Sequence, residues 1–228
     1  MEGDYNMAKL TLAEVKSNQF VNNFIKQTET YLTALGYTDH GFRHINIVSD
    51  RCESLARNLG LSAHDVELSG IAGYCHDMGN FLGRTQHHYW AAMLFSQIFI
   101  PATDPQDVSR VSQAIVSHDK NEIKIVDKIS AILIIADKSD VHRDRVVRKD
   151  YKGIMGDIHD RVNFAATNNS LKINKIRKQI ELKISIDTKE ANTMDYFEIF
   201  SERMSFCRVA AEYLGYKFVL IINNFKLS

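Results

Sequence analysis

Apolar residues recur every three or four positions through the first two thirds of the chain, which is the spacing of amphipathic α-helices. This repeat continues to about residue 160, and the two prolines of the chain, Pro101 and Pro105, fall outside helix interiors. The pattern predicts helices over Leu12–Leu35, Phe42–Leu59, Ala63–Asp77, His87–Phe99, Pro105–Ser117 and Val126–Asp137.

Residues that commonly begin or end helices stand at the ends of these segments. Gly36 and Gly60 suit C-terminal stops, and Ser62 and Asp104 suit N-caps. Pro105 follows Asp104 at a favourable first helical position. The capping signals therefore support the helices that the apolar repeat predicts.

The pattern changes after about residue 160. Strands over Arg161–Ala166 and Ser170–Asn174, with a turn at Asn168 and Asn169, predict a hairpin. Gln179–Asp187 alternates apolar and polar residues, which is typical of a strand. Two further elements are predicted, a helix over Met194–Leu214 and a last strand over Phe218–Ile222.

These elements predict a mainly α fold with a small C-terminal α+β unit. We expect a helical domain over residues 1–160 and an α+β appendage over residues 161–228. No repeat, low-complexity tract or linker separates them, so we expect the appendage to pack against the helices as structural support.

Composition narrows the function only slightly. Among 228 residues, 28 Lys and Arg balance 28 Asp and Glu, which gives no overall attraction to nucleic acid or to anionic membranes. The cysteines, Cys52, Cys75 and Cys207, form no Cys-x-x-Cys pair, so we expect buried thiols. The longest apolar run, Ile129–Ala136, is far shorter than the roughly 20 residues of a membrane span. We expect a cytoplasmic enzyme without a membrane partner.

Histidines lie on the apolar faces of two predicted helices. His44 shares a helical face with Val48, and His118 completes the face of Val111 and Ile115. Both imidazoles are therefore expected to point into the core.

Two aspartates stand where an unpaired carboxylate would be costly. Asp137 ends the longest apolar run, and the pair His76-Asp77 ends a helix whose inner face carries Gly70 and Gly73. Burying an unpaired carboxylate costs roughly several kcal/mol, so buried ones are paired, protonated or bound to metal. Adjacent helical residues diverge by about 100°. His76 and Asp77 can therefore serve one ion from two sides, or Asp77 can bridge two ions.

The order of histidines and aspartates resembles that of the HD-domain phosphohydrolases, named for an adjacent His-Asp pair. The resemblance covers about Asp39 to Arg145 and rests on six residues: His44, His76, Asp77, His87, His118 and Asp137. It implies an HD-type helical bundle in which His44, His76, Asp77 and Asp137 bind one metal ion. Members with two further histidines bind a second ion, which implies that role for His87 and His118.

The resemblance also implies a reaction. His76, Asp77 and His118 are expected to take part in catalysis, in which a metal-activated water hydrolyses a phosphate ester or anhydride, by resemblance a nucleotide. Imidazole and carboxylate ligands without thiolate suit iron, manganese, cobalt, nickel or zinc, one or two ions per chain, which the sequence does not rank. His88 is an alternative to His87, which is favoured because small residues, Ala91 and Ala92, follow it as in the family.

Four polar residues are candidates for substrate binding. Related enzymes have a lysine where Asn80 stands, and Arg84 is expected to replace its phosphate contact. Lys138 and Arg145 follow the distal aspartate, and guanidinium groups suit phosphate oxygens. His40 lies one turn before the first histidine. For each of the four, an ordinary surface or helix-start position is the alternative.

Two other functions are compatible with the same residues. One is a metal-binding regulatory or scaffold protein without turnover, in which the α+β unit senses a ligand or forms a homodimer. The other is a di-iron oxygenase of the HD type. A failure to hydrolyse a broad panel of phosphoesters would favour the first, and iron-dependent oxygen consumption would favour the second.

Overall fold

The computed structural model describes residues 9–101, 103–119 and 125–227. Helices dominate the part up to residue 165, as predicted, and α5 and α6 have the predicted bounds. In chain order they are α1 (Leu12–Ser17), α2 (Gln19–Ala34), α3 (Phe42–Asn58), α4 (Ala63–Cys75), α5 (His87–Phe99), α6 (Pro105–Ser117), α7 (Lys128–Lys138), α8 (Tyr151–Gly156) and α9 (Ile158–Ala165). Short 3₁₀ helices cover Asn80–Leu82, Arg84–Gln86 and Arg143–Arg145.

The predicted helix Leu12–Leu35 is in fact two helices that meet at Asn18. The Asn18 backbone is extended, which ends α1. Its side chain accepts hydrogen bonds from the amides of Phe20 (2.9 Å) and Val21 (3.2 Å) and so caps α2. The apolar repeat runs through both helices and therefore did not reveal the break.

The predicted caps of the helices are confirmed, and the helix bounds elsewhere differ from the prediction by at most two residues. Ser62 accepts a hydrogen bond at the start of α4, and Asp104 does the same for α6, where Pro105 is the first residue. Gly36 and Gly60 follow α2 and α3 with φ angles of 79° and 75°, a conformation that favours glycine at a helix C-terminus.

Helices α3 and α4 approach closely because Gly73 has no side chain. A Cβ atom at Gly73 would lie 2.8 Å from the Cα atom of Ser49 in α3. This approach places the rings of His44 and His76 with their centroids 5.3 Å apart. The small residues of α4 thus help to position two of the predicted metal ligands.

Helix α7 runs through the middle of the core. Every residue from Ile129 to Ala136 is fully buried, and α7 packs against α3, α4, α6 and the C-terminal helix. Asp137, in the last turn of α7, is consequently held at the centre of the bundle.

The C-terminal part is a four-stranded sheet with one long helix. Its elements are β1 (Ala166–Asn174), β2 (Gln179–Ile186), α10 (Thr193–Tyr213), β3 (Lys217–Ile222) and β4 (Phe225–Lys226). The strand order is β1-β2-β3-β4, and α10 is the crossover between the parallel strands β2 and β3. The other two pairs are antiparallel. The predicted α+β character is confirmed, with β4 following the strand that was predicted to be last.

The predicted hairpin around Asn168 and Asn169 is wrong. Both asparagines lie inside β1, opposite Ser185 and Ile184 of β2. The segment predicted as the first strand of the hairpin belongs to α9 except for Ala166, which begins β1. The true hairpin joins β1 to β2 through residues 175–178. Adjacent asparagines favour turns, but here the Asn169 amide is used in a tertiary contact.

That contact ties β1 to the segment that follows α7. Asn169 Nδ2 donates to the carbonyl oxygens of Ser139 and Val141, and Arg51 donates to Asn169 Oδ1 at 2.6 Å. Helix α10 also packs along α7. Because α9 crosses residue 160, we propose that the helical unit ends with α9 rather than at residue 160.

Two further observations concern membrane-spanning helices and the cysteines. The described part of the chain has no helix that is both long and apolar enough to cross a membrane. Cys52, Cys75 and Cys207 are buried free thiols, as predicted.

Candidate metal centre

The structure brings all six predicted ligand residues together where five helix ends meet. His44 lies in the first turn of α3, His76 and Asp77 directly follow α4, and His87 begins α5. His118 directly follows α6, and Asp137 lies in the last turn of α7. All are buried except Asp137, which is partly buried.

Four of these residues form the inner half of the centre. Nε2 of His44 lies 3.4 Å from Asp137 Oδ1 and 3.7 Å from Asp77 Oδ2. Nε2 of His76 lies 3.4 Å from Asp77 Oδ2 and 3.7 Å from Asp137 Oδ1. Two imidazole nitrogens and two carboxylate oxygens thus face one point.

The other oxygen of Asp77 faces the outer half of the centre. Asp77 Oδ1 lies 3.2 Å from His87 Nε2 and 3.8 Å from His118 Nε2. These two imidazole nitrogens are 3.1 Å apart. Asn80 Nδ2 donates to the same oxygen at 2.8 Å and fixes the carboxylate between the halves.

All four imidazoles are oriented by an acceptor at Nδ1. His44 Nδ1 donates to Asp140 Oδ2 at 2.7 Å. The others donate to the carbonyl oxygen three residues earlier, at 2.8 Å for His76, 2.8 Å for His87 and 2.6 Å for His118. Because carbonyl and carboxylate oxygens only accept, the proton of each neutral ring is on Nδ1, and Nε2 presents a lone pair to the centre. Metal-binding histidines are held in the same way.

The donor set fits divalent metal. Nε2 of His44 and of His76 are fully buried and have no hydrogen-bond partner within the described residues. Two ligand atoms that each lie about 2.1 Å from a common ion are roughly 3.0–3.4 Å apart, close to the separations found here. Mixed imidazole and carboxylate ligation suits first-row divalent ions.

Electrostatics differ between the halves. Burial lowers the pKa of His76, but the carboxylates of Asp77 and Asp137 outweigh burial and raise that pKa to about 10. Burial would raise the pKa of both carboxyls, whereas the surrounding cations and imidazoles hold it well below its usual range. Burial lowers the pKa of His118, which therefore favours the neutral ring.

His87, not His88, faces Asp77. His88 groups instead with His87 and Asp119 around a second set of possible ligand atoms. Asp119 was not predicted as a site residue. The pair His118-Asp119 repeats the His-Asp dipeptide and could have indicated it. Asp119 Oδ2 lies 3.8 Å from His87 Nε2, and its side chain is 41% exposed at the rim of the outer half.

Asp140 is a second residue that the sequence analysis missed. Its carboxylate is buried, accepts the His44 proton and binds Arg43 Nη2 at 2.9 Å. Burial opposes ionisation, but His44 and the neighbouring arginines lower the pKa of Asp140 well below its usual range. Its place three residues after Asp137, one helical turn on, was the available signal.

The four residues predicted to bind substrate all line the cleft above the centre. Arg84 Nη1 donates to Asn80 Oδ1 at 2.9 Å, and Arg145 donates to the carbonyl oxygens of Asp39 and Asp140. His40 Nδ1 donates to the carbonyl oxygen of Thr38.

Lys138 is the most strongly held of these four. Its Nζ pairs with Asp137 Oδ2 at 2.9 Å and with Asp119 Oδ1 at 3.3 Å. Burial lowers its pKa, but the two carboxylates outweigh burial and raise it. Lys138 therefore stays protonated and bridges Asp137 of the inner half to Asp119 at the rim of the cleft.

Arg203 of α10 completes the lining of the cleft. Within the described parts of the chain it has neither an ion pair nor a hydrogen bond, and its guanidinium carbon lies 5.2 Å from the centroid of the Phe200 ring. Burial and the neighbouring Arg145 lower its pKa, which reflects an uncompensated positive charge. No motif marked Arg203, and the C-terminal unit, predicted to be structural support, contributes it.

Comparison with known proteins agrees with the geometry. Residues 41–142 match the family model of the HD domain, and this segment contains all six residues of the centre. The chain is also 25% identical to an uncharacterized protein of Methanocaldococcus jannaschii over 218 aligned positions, which cover 84% of this chain and 80% of that protein. Residues 41–142 of this chain are therefore similar to the HD domain both in the family model they match and in the order of their histidines and aspartates.

Proposed function

We propose that the protein is a metal-dependent phosphohydrolase with a binuclear centre. One observation carries the proposal: four imidazoles donate outward through Nδ1 and direct Nε2 inward, around a carboxylate whose two oxygens face different pairs of histidines. A hydrogen-bonded polar core would not leave buried Nε2 atoms without partners.

The residues divide between two ions. His44, His76, Asp77 and Asp137 would hold the first, and Asp77, His87 and His118 would hold the second. When bound, divalent ions would acidify a water and polarise phosphoryl oxygens. The identity of the metal stays open among iron, manganese, cobalt, nickel and zinc.

The chain's own cations favour a phosphorylated substrate. Arg84 is fixed next to the outer half by Asn80, and Arg145 is fixed by two backbone carbonyls. Guanidinium groups match the paired oxygens of phosphate. Lys138 and Arg203 add positive charge to the same cleft in a chain whose net charge is zero. This concentration of cations favours a phosphoester over dioxygen as the partner of the centre.

The test combines elemental analysis with a hydrolysis screen. Purified protein supplemented in turn with each of the five metals is assayed on nucleoside mono-, di- and triphosphates, cyclic nucleotides and p-nitrophenyl phosphate. We expect close to two ions per chain and phosphate release with at least one metal. Metal content without hydrolysis of any compound would overturn the enzymatic proposal in favour of a regulatory role, and iron-dependent oxygen consumption would favour an oxygenase.

A further inference from the structure

Helix α5 is apolar on two opposite faces. Its inner face carries Phe95 and Phe99, which are buried, and α5 packs on α6 and more lightly on α4. Its outer face carries Trp90, Met93 and the C-cap residue Ile100, which are 36%, 60% and 60% exposed. A helix that is apolar all round is normally buried on every side. Among the described residues, nothing covers the outer face of α5.

The outer face of α5 also lacks charge. Between Arg84 and Asp104 the sequence contains no Lys, Arg, Asp or Glu. Helix faces that point to water are normally polar or charged, whereas the cores of protein interfaces are depleted of charged residues. An uncharged apolar face is complementary to a second copy of itself, because no like charges meet across a two-fold axis.

The outer positions have the spacing of paired helices. Trp90, Met93, Gln97 and Ile100 follow at intervals of three, four and three residues, which is the a and d pattern of a helix pair. We call these four residues the outer stripe. When two antiparallel copies of the stripe overlap fully about a two-fold axis, Trp90 lies opposite Ile100, and Met93 lies opposite Gln97. The stripe is therefore self-complementary along its whole length.

Exposed apolar side chains extend this surface beyond α5. Leu82, in the 3₁₀ helix that packs on α5, is 50% exposed. Phe81 beside it stacks on Phe24 of α2, with ring centroids 5.4 Å apart, and Phe20, one turn earlier on α2, is 67% exposed. With the stripe, these side chains expose on the order of 500 Å² of apolar surface, against roughly 800 Å² that each partner buries in a standard interface. The surface is large enough to form the core of a stable dimer.

We propose that the outer face of α5 is a homodimer interface, in which two copies of the chain pair their α5 helices antiparallel. A membrane surface is the other apolar environment that could cover such a face. Helices that lie on membranes carry Lys and Arg beside the apolar face, and α5 has neither. Because α5 begins with His87, the pairing would also hold the helix that supplies one residue to the outer half of the centre.

The oligomeric state of the full chain is the first test. Sedimentation equilibrium should give twice the 26.0 kDa mass of the chain. Trp90 is the single tryptophan and reports on the interface without a label, so its emission should shift to longer wavelength wherever the dimer dissociates. A monomer at every concentration would overturn the proposal. Adsorption of that monomer to phosphatidylglycerol vesicles, with a blue shift of Trp90, would instead assign the face to a membrane.

A charge in the stripe tests where the two copies meet. Met93→Glu should raise the Kd of the dimer at least about 100-fold, because an unpaired charge buried in an interface is strongly destabilising. Met194→Glu is the matched control, since Met194 is 73% exposed on α10, outside the stripe, and should leave the Kd within twofold. Both substitutions are at exposed positions, so circular dichroism should show an unchanged fold. A dimer that Met93→Glu does not weaken, or that both variants weaken equally, would overturn the α5 interface.

A second substitution tests the antiparallel register. Because Met93 lies opposite Gln97 of the second copy, Gln97→Lys combined with Met93→Glu should bring opposite charges together. We expect the combination to recover at least about tenfold of the affinity that Met93→Glu loses, whereas Gln97→Lys alone should weaken the dimer. A combined variant no tighter than Met93→Glu would contradict the antiparallel pairing.

Discussion

The inner and outer halves of the metal centre are built in different ways. His44 of the inner half is oriented by Asp140, a residue 96 positions away in sequence, and Asp137 depends on the packing of α7 in the core. In the outer half, His87 and His118 are oriented by carbonyl groups of their own helix turns. The positions of His44 and Asp137 therefore depend on the tertiary fold, whereas both histidines of the outer half, like His76 of the inner half, are oriented by local backbone.

The protonation of the histidines also differs between the inner and outer halves of the centre. In the metal-free protein the two carboxylates hold a proton on His76, whose pKa is about 10, whereas burial keeps His118 neutral. In the metal-free protein, the proton on His76 thus supplies the positive charge that a metal ion would supply in the inner half. The inner half should therefore bind metal in competition with protons, and the two halves can be perturbed separately except at Asp77.

Asp77→Ala should have the largest effect because Asp77 is the residue that the two halves share. We expect loss of metal from both and a fall in hydrolysis of at least about 10²-fold, the scale for removing one electrostatic stabiliser. Elemental analysis and steady-state kinetics measure both. Asp107→Ala is the control, since Asp107 is equally buried and pairs with His64 away from the centre. Full metal content in Asp77→Ala would refute the shared role.

His118→Ala should affect the outer half alone. We expect metal content to fall by about one ion per chain while the inner ion is retained, because His118 Nε2 faces Oδ1 of Asp77, the oxygen of the outer half. Titration of the metal-free protein followed by calorimetry would show one binding step where the wild type shows two. A wild-type content of one ion, unchanged in the variant, would exclude the binuclear arrangement.

Asp140→Asn should weaken the inner half without removing a ligand. Replacing the partner that orients a metal-bound histidine typically costs about 10–100-fold in metal affinity or activity. We expect a loss of that size for the inner ion and little change for the outer one. Asp39→Asn provides the comparison, because Asp39 pairs with the same Arg43 but does not contact His44. Similar losses in both variants would mean that Arg43, rather than the His44 contact, matters.

The sequence predicted the ligand residues of the centre better than it predicted the lining of the cleft, for a physical reason. His118 ends an amphipathic helix, where local periodicity determines which way a side chain faces, and His76 and Asp77 are marked by their own dipeptide at the end of a helix that carries small residues. Arg203 instead reaches the cleft through the packing of α10 along α7, which no local pattern encodes.

The secondary-structure predictions also failed where tertiary contacts, rather than local patterns, determine the structure. Helices α5 and α6 could be placed to the residue because Asp104, Pro105 and the apolar repeat agree. Asn169 was misplaced in a turn because its amide satisfies distant carbonyl groups at the end of α7. The break at Asn18 was missed because both helices continue the same apolar face.

The pH dependence of stability should distinguish the halves in the metal-free protein. The pKa of His76 is about 10 in the folded state and about 6.5 when unfolded, so its contribution is fully present below about pH 6.5. That contribution is lost as the pH rises from about 6.5 to 10. We expect the melting temperature of chelator-treated protein to fall over this range and that of Mn²⁺-loaded protein to fall less. Parallel curves would contradict a proton held in the inner half.

Asn169→Ala should have the smallest effect and should act through the inner half. Asn169 bridges β1, Arg51 and the two carbonyls that follow α7. Its removal takes the donor from the carbonyl oxygen of Val141, whereas that of Ser139 keeps the amide of Val141. Such a loss typically costs about 1–3 kcal/mol, which denaturant unfolding would measure. Because Asp137 and Asp140 flank Ser139, we expect a slight weakening of the inner ion, whereas the outer ion should be unaffected. Asn223→Ala is a suitable comparison, because Asn223 also bonds the backbone of the sheet, at Ile186, but lies away from α7. Equal weakening of both ions by Asn169→Ala would show that the C-terminal unit supports the whole centre, and would remove the structural distinction between its halves.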